Sequence, residues 1–162
     1  MNRLHFIVIG LLLICFATHG QEITSVEVFN GRGEFNDFQK ILDLSYQNLK
    51  KVPISALDPE IETLILDNNN IKELPSWIGQ LKNLKVLSIK NNSFQKLDFG
   101  INNCENLEQL YLSGNKNLSD ISSINTTMKL EIIDVVDTKI NELPSWVQMM
   151  DNLFYFKYTK KE

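Results

Sequence analysis

Pairs of large apolar residues separated by one position recur along most of the chain. Each pair brackets a single residue of variable character, an alternation typical of a short β-strand with one buried face. Successive pairs begin 22, 23, 23, 23 and 23 residues apart, and they are Leu42/Leu44, Leu64/Leu66, Leu87/Ile89, Leu110/Leu112, Ile133/Val135 and Phe156/Tyr158. A fixed period of this length indicates structural repeats that stack on one another and bury a continuous core.

Two further sets of equivalent positions, which we call columns, recur with the same period. An aliphatic residue stands three positions before each pair from the second onward: Ile61, Leu84, Leu107, Leu130 and Leu153. A polar residue stands five positions after the first member of each of the first five pairs, and in chain order it is Gln47, Asn69, Asn92, Asn115 and Thr138. An inward asparagine side chain can bond backbone groups of the turn after a strand, which would be costly to bury unpaired. We therefore expect tight turns at the asparagines and looser turns at Gln47 and Thr138.

The phrase LPSW occurs twice, and its spacing belongs to the same period. LPSWIGQLKNL occupies residues 74–84 and LPSWVQMMDNL occupies residues 143–153, so the two copies start 69 residues, or three periods of 23, apart. Proline suits the first turn of a helix, where its missing N–H is not needed. The phrase therefore predicts short helices or 3-10 turns on the return from the strand. Trp77 and Trp146 are expected to cover apolar neighbours on that convex side; the alternative is a second contact site.

The repeating unit reads L-x-x-L-x-L-x-x-N-x-L-x-x-L-P, and its best copies are IETLILDNNNIKELP and LKVLSIKNNSFQKL. This pattern resembles the leucine-rich repeat family over residues 38–158. The resemblance implies an α/β fold class: a right-handed solenoid with a curved parallel β-sheet and short helical or 3-10 returns on the convex side. The style of LPSWIGQLKNL resembles short exported bacterial members of the family.

The two ends of the chain lie outside the repeats. Residues 1–20 begin with a positive charge at Arg3, and residues 6–17 form an apolar run that is shorter than the roughly 20 residues of a membrane span. They are typical of a secretory signal cleaved before Gln21, which predicts a secreted or periplasmic protein; the alternative is a retained membrane anchor. Residues 21–37 are expected to cap the first repeat, because its core would otherwise face water. Residues 159–162 form a short C-terminal tail.

Composition argues against several classes of partner. The formal net charge is −4, and positive and negative residues are interspersed along the chain. This pattern gives neither the basic stripe of a nucleic-acid-binding protein nor a basic amphipathic helix for a membrane surface. We therefore predict no nucleic-acid partner, and no membrane span once the signal is removed.

Residues that serve most catalytic and metal sites are concentrated in the predicted signal, namely His5, His19 and Cys15. The remaining chain holds one cysteine, Cys104, and no histidine. This excludes an intramolecular disulfide, a Ser-His-Asp or Cys-His pair and a Cys/His zinc cluster. Asp43 and Asp67 are expected on adjacent strands, where an open sheet would leave both carboxylates solvated. We predict no enzyme activity, catalytic residue, cofactor or metal, and we expect Cys104 to be buried as a small apolar residue.

The strand positions between the buried leucines define the opposite face of the sheet, which we name the concave face. Its first column is Ile41, Thr63, Val86, Gln109, Ile132 and Tyr155. Its second is Asp43, Ile65, Ser88, Tyr111, Asp134 and Lys157. Its third is Ser45, Asp67, Lys90, Ser113, Val136 and Thr159. All three columns are predicted to be exposed, and the resemblance implies that this face binds partners.

The apolar residues of the concave face form a diagonal band that we predict to be a binding site for a protein partner: Ile65, Val86, Tyr111, Ile132 and Tyr155, flanked by Asp43, Asp67, Lys90 and Asp134. Aromatic anchors usually dominate such interfaces. The structural alternative is that β-branched and aromatic residues simply suit strands. Two other functions stay open. One is a carbohydrate or envelope-glycan binder whose Tyr111 and Tyr155 stack on sugar rings; the other is a structural fragment of a larger repeat family.

Overall fold

The computed structural model describes residues 40–160 and, among residues 1–39, only the backbone of two short strands. The chain divides into two compact units, Met1–Phe38 and Gln39–Glu162. In the first unit, strand β1 (Leu4–Ile9) pairs antiparallel with strand β2 (Leu12–Ala17). The signal peptide expected at residues 1–20 stays a prediction. The cap expected at residues 21–37 lies outside the described residues.

The second unit contains a parallel sheet of six short strands whose order in space is their order in the chain. The strands are β3 (Ile41–Asp43), β4 (Thr63–Ile65), β5 (Val86–Ser88), β6 (Gln109–Tyr111), β7 (Ile132–Val135) and β8 (Tyr155–Tyr158). Leu42, Leu64, Leu87, Leu110, Ile133 and Phe156 are register partners across the whole sheet. The period read from the sequence is therefore the step from one strand to the next.

Within residues 40–160, four 3-10 helices lie on the returns between strands: η1 (Ile54–Ala56), η2 (Ile78–Gln80), η3 (Phe99–Asn103) and η4 (Ser145–Met149). The two LPSW phrases lead into η2 and η4, where the carbonyl oxygens of Pro75 and Pro144 accept the amides of Ile78 and Val147 at 3.0 and 3.1 Å. This confirms the predicted short returns. Within residues 40–160, no helix is both long enough and apolar enough to cross a membrane.

The core lies between the sheet and these returns. Leu64, Leu87, Leu110 and Ile133 are fully buried in its central row. Cys104 is also buried, as predicted, and its thiol lies 3.3 Å from the carbonyl oxygen of Ile78. The row ends at β8, where Phe156 and Tyr158 are only half-buried. Trp146 packs edge-on against Phe156 with ring centroids 6.3 Å apart, the covering role expected of a convex tryptophan.

Candidate partner-binding face

The register of the sheet brings the predicted site residues onto one face. Val86 pairs with Gln109 and Gln109 with Ile132, while Ile65 pairs with Ser88 and Ser88 with Tyr111. The first two columns of the concave face are therefore assembled as the sequence predicts. Of the flanking residues, Asp43 and Asp134 lie within β3 and β7, and Asp67 and Lys90 lie two residues beyond β4 and β5. Asp43 and Tyr155 lie on the first and last strands, so the nine residues span about 24 Å of sheet at ordinary strand spacing.

The concave face is more crowded than the sequence predicted. Thr63 and Ser88 were expected to be exposed, but they are only 8% and 6% exposed. Both are small residues in strands flanked on each side by a neighbour about 4.8 Å away, so larger side chains beside them exclude water. Ile65, Val86, Tyr111 and Ile132 are half-buried, and Tyr155 on the last strand is 48% exposed. The accessible apolar surface of this band therefore consists of partly shielded side chains, and Tyr155 on β8 is its one exposed member.

The flanking carboxylates are held by hydrogen bonds at the ends of the strands. Asp67 accepts the Ser88 hydroxyl at 2.7 Å and the Lys90 amide at 2.8 Å. Asp43 accepts both the amide and the hydroxyl of Ser45, at 2.9 and 2.6 Å. Asp134 accepts the amide two residues further on, at 3.1 Å. These bonds orient the carboxylates and leave an anionic edge along the concave face.

Tyr111 lies at the centre of a preorganised cluster. Its hydroxyl donates to Oε1 of Gln109 at 2.9 Å, and Nζ of Lys90 lies 4.5 Å from its ring centroid. A cation over an aromatic ring is attracted by the negative ring face, so the lysine and the ring restrain each other. The ammonium group occupies one face of the ring. That face is therefore not open for stacking on a sugar.

A ladder of buried asparagines fixes the spacing of the strands that carry this face. Asn92 Oδ1 accepts the Ile71 amide of the preceding turn at 3.0 Å. Its Nδ2 donates to the carbonyl oxygens of Leu66 in the preceding turn and Ile89 in its own, at 2.9 and 3.2 Å. Asn69 and Asn115 make the equivalent bonds one turn away on either side. In residues 40–160, every buried side-chain nitrogen or oxygen has a hydrogen-bond partner.

A left-handed backbone position, which the sequence reasoning missed, recurs once per turn beside this ladder. Its positive φ values are those of Tyr46 (59°), Asn68 (58°), Asn91 (51°), Gly114 (77°) and Asp137 (56°), and the first turn has a second residue with positive φ, Asn48 (56°). Asparagine, aspartate and glycine tolerate this conformation, whereas a bulky residue such as Tyr46 is uncommon there. An added Cβ at Gly114 would overlap the Asn91 side chain. The signal was present in the sequence, because these residues follow one another at 22 or 23 positions.

The described residues offer little of the usual chemistry of catalysis. In residues 40–160, no group of three or more His, Cys, Asp or Glu side chains is placed to hold a metal ion. Burial raises the pKa of the Cys104 thiol to about 11, although the charge of Lys82 acts in the opposite direction. A buried thiol with a raised pKa is a poor nucleophile. Cys104 is therefore expected to act as a residue of the core.

Comparison with known proteins agrees with this geometry. Residues 59–116 match the profile of the leucine rich repeat family. A leucine-rich repeat protein from Leptospira interrogans superimposes with a TM-score of 0.55 and 26% identity, over 71% of this chain and 36% of that chain. The leucine-rich repeat ectodomain of the receptor kinase SOBIR1 from Arabidopsis thaliana gives a TM-score of 0.58 at 23% identity, over 83% of this chain and 71% of that chain. The second likeness concerns the fold alone.

Residues 59–116 are therefore leucine-rich repeats, and the six-stranded sheet that contains them has the fold of leucine-rich repeat proteins. A relative in sequence is a probable serine/threonine-protein kinase from Dictyostelium discoideum, which is 37% identical over 71 residues. That match covers 43% of this chain but 6% of the kinase. The chain thus spans a small part of the length of that relative and about a third of the Leptospira protein. Leucine-rich repeat domains typically act as non-catalytic modules that bind proteins.

Proposed function

We propose that the chain binds a protein partner through the concave face, with Ile65, Val86, Tyr111, Ile132 and Tyr155 as apolar contacts and Asp43, Asp67, Lys90 and Asp134 as the charged flank. The register is the observation that supports this most strongly. It aligns side chains from separate turns on one face without using any of them in the main core row. The partner is expected to contact at least four successive strands.

Tyr111 is the anchor of this site. Its ring is already restrained by Lys90 and its hydroxyl by Gln109, so little side-chain entropy remains to be lost when a partner binds. Aromatic residues restrained in this way are common among residues that dominate binding energy. Lys90 supplies a positive charge beside the anionic edge formed by Asp67, and the partner is expected to complement this mixed charge pattern.

The protein has no catalytic role in this proposal and works outside the cytoplasm. Export is supported by the composition of residues 1–20, which predicts a mature protein starting at Gln21. N-terminal sequencing of material recovered from the medium or periplasm checks this start. Recovery of chains that still carry residues 1–20 would contradict it.

The binding experiment compares two variants with the wild-type chain as baits in the native compartment. Tyr111→Ala removes the anchor, and Trp77→Ala truncates a convex aromatic residue that is also half-buried. A partner captured by the wild type is then titrated against all three proteins. We expect Tyr111→Ala to weaken binding about tenfold or more while the melting temperature changes little. Trp77→Ala should lower the melting temperature and leave affinity nearly unchanged. The opposite pattern would place the site on the convex side.

Glycan binding on the same face is tested with the same proteins on a glycan array. The Lys90 ammonium over the Tyr111 ring argues against a sugar platform at that position. We therefore expect no glycan signal that depends on Tyr111. A signal that Tyr111→Ala abolishes would replace the protein partner with a carbohydrate.

A further inference from the structure

Three successive turns of the solenoid expose a large apolar side chain on the convex side. Ile54 is 68% exposed at the start of η1, and Phe99 is 75% exposed at the start of η3. Trp77, directly before η2 on the turn between them, is half-buried. We name these three residues the convex patch. Because Ile78 and Ile101 close the core beneath it, the exposed side chains are available for contact with something outside the fold.

The second and third of these turns are held at a fixed, close distance. A Cβ added at Gly79 of η2 would overlap the Asn103 side chain and lie 2.9 Å from the carbonyl oxygen of Gly100 in η3. Glycine is the residue that permits such a close approach of two backbones. Trp77 and Phe99 are therefore carried on a tightly packed pair of turns, so the convex patch is a preformed surface.

Exposed lysines lie on the segments that lead into the convex patch. They stand three to five residues before its members, and they are Lys50, Lys51, Lys72 and Lys96. The same segments carry two carboxylates, those of Glu73 and Asp98. The equivalent segments of the next two turns, residues 118–123 and 141–146, carry two carboxylates and no lysine. The excess of positive charge is therefore confined to the turns that expose the patch.

Most of these lysines are not used by the fold. Within residues 40–160, the side chains of Lys50, Lys51 and Lys72 make neither an ion pair nor a hydrogen bond, and Lys96 lies 3.9 Å from Asp98. Lysines on the segments that lead into the strands are instead paired with glutamates of neighbouring turns: Lys40 with Glu60 at 2.7 Å, Lys82 with Glu105 at 2.7 Å and Lys85 with Glu62 at 2.8 Å. The unpaired ammonium groups favour an anionic partner from outside the chain.

We propose that the convex patch and its four lysines bind the surface of a bilayer that contains anionic lipid. Charge complementarity selects an anionic occupant. The apolar side chains project from a convex surface, so they enter the soft interfacial layer of a bilayer directly, whereas a protein partner would need matching cavities. Apolar side chains that enter the interface beside lysines that face the headgroups are typical of proteins that lie on a membrane.

No single helix carries this pattern, because its residues come from three turns that the stacking brings side by side. The surface is also separate from the concave face, so a membrane and the proposed protein partner can be bound together.

Sedimentation with vesicles tests the contact, using the full chain purified in the form in which the cell produces it. Vesicles of phosphatidylcholine alone are compared with vesicles of phosphatidylcholine mixed with phosphatidylglycerol. We expect binding to the mixed vesicles that weakens as salt is added, because salt screens exposed charges. The double variant Lys50→Gln/Lys51→Gln should weaken this binding about tenfold or more. Its control, Lys40→Gln/Lys82→Gln, removes the same charge from paired lysines and should leave binding nearly unchanged.

A second pair of variants tests the apolar part of the surface. Phe99→Ser should weaken binding to the mixed vesicles about tenfold, since less apolar area enters the interface. Met149→Ser is its control, because Met149 on η4 is 69% exposed but its turn lacks the lysines. All variants keep residues 1–20, so any membrane affinity of that apolar run is common to them. Equal effects of Phe99→Ser and Met149→Ser would overturn the proposal.

Tryptophan fluorescence locates the contact without altering the lysines or Phe99. The chain has two tryptophans, so Trp146→Phe leaves Trp77 as the single reporter and Trp77→Phe leaves Trp146. Mixed vesicles made with brominated phosphatidylcholine should quench the emission of Trp77 strongly and that of Trp146 little. Quenching of Trp146 alone, or of both to the same extent, contradicts the location. A wild-type chain that binds neither kind of vesicle, or both equally, contradicts the proposal itself.

Discussion

The middle turns of the solenoid and its C-terminal end share one repeat but close their turns differently. Asn69, Asn92 and Asn115 each reach back to backbone groups of the preceding turn. Thr138 occupies the same column, but its hydroxyl donates to the Val135 carbonyl oxygen at 2.7 Å and accepts the Ile140 amide at 3.1 Å, both in its own turn. An amide side chain is long enough to join two turns, whereas a threonine hydroxyl serves one.

The burial of the core row also differs between the middle turns and the C-terminal end. The central row is fully buried from Leu64 to Ile133 and becomes half-buried at Phe156. In a solenoid each turn contacts only its neighbours, so stability is a sum over adjacent interfaces. The turn of β7 lacks the asparagine link and packs against the less buried β8, so these two turns are expected to be the least stable part of the described unit.

Core truncation should show the largest difference between the two regions. Leu110→Ala leaves a cavity between two turns and should lower the free energy of unfolding by about 2–5 kcal/mol. Phe156→Ala removes a larger side chain but one that is already partly solvated, so we expect a smaller loss. Denaturant unfolding of both variants measures this. A greater loss for Phe156→Ala would mean that the end is packed as tightly as the middle.

The second largest difference between the two regions is expected in the reactivity of a cysteine thiol placed in each. Burial raises the pKa of Cys104 from its ordinary value of 9.0 to about 11. Because the thiolate is the reactive form, alkylation of Cys104 at pH 9 should be about fiftyfold slower in the folded than in the unfolded chain. The stabilising contribution of this thiol is fully present below pH 9 and is lost as the pH rises toward 11, since the unfolded chain ionises first.

A cysteine introduced at the exposed Met149 is the matched control for this experiment. Met149→Cys should be alkylated at nearly the same rate in folded and unfolded chains, because the side chain at this position is 69% exposed. Peptide mass mapping assigns the label to each cysteine. Rapid labelling of Cys104 in the folded chain would show that the middle turns open readily.

The asparagine ladder should contribute a smaller but still measurable amount. Asn92→Ala leaves the Ile71 amide and the Leu66 carbonyl oxygen without their side-chain partner, which should lower the free energy of unfolding by about 1–3 kcal/mol. Asn83→Ala is the control, since Asn83 is exposed and donates a single bond to the Pro59 carbonyl oxygen. Its effect should lie within about 0.5 kcal/mol. Equal losses in the two variants would remove the ladder as the distinguishing feature.

The smallest expected effect is a gain at the C-terminal end. Thr138→Asn should allow the side chain to reach the Leu112 carbonyl oxygen, as Asn115 reaches that of Ile89 at 2.9 Å. A typical hydrogen bond contributes about 1 kcal/mol, so a rise of about 0.5–1.5 kcal/mol in the free energy of unfolding is expected. Thr138→Ala should be destabilising. A loss of stability in both variants would mean that the fifth turn cannot accept an asparagine.

The strand register and the asparagine ladder could be predicted from the sequence because both depend on a strict period. Leu64 and Leu87 pair as their spacing requires, and Asn92 makes the turn bonds expected of it. The burial of Thr63 and Ser88 could not be predicted in this way. Their burial depends on how side chains of the adjacent strands shield a small residue. The order of positions along one strand does not show this.

Some features of the candidate site could likewise be predicted from the sequence and others could not. Membership of the concave face follows from strand alternation, so the positions of Ile65, Val86 and Tyr111 were accessible from the sequence. The restraint of Tyr111 by Lys90 was not, because the two residues are on different strands and in different columns. Their contact is diagonal and depends on the lysine rotamer.

Native-state hydrogen exchange tests the difference between the two regions most directly. The Ile71 and Phe94 amides donate to Asn92 and Asn115 of the following turn, at 3.0 and 3.1 Å, whereas the Ile140 amide donates to Thr138 within its own turn. We expect the first two amides to exchange only through global unfolding and Ile140 to exchange about tenfold faster or more, through local opening of the last turns. Equal protection of all three amides would contradict the conclusion that the end of the solenoid is less firmly closed than its middle.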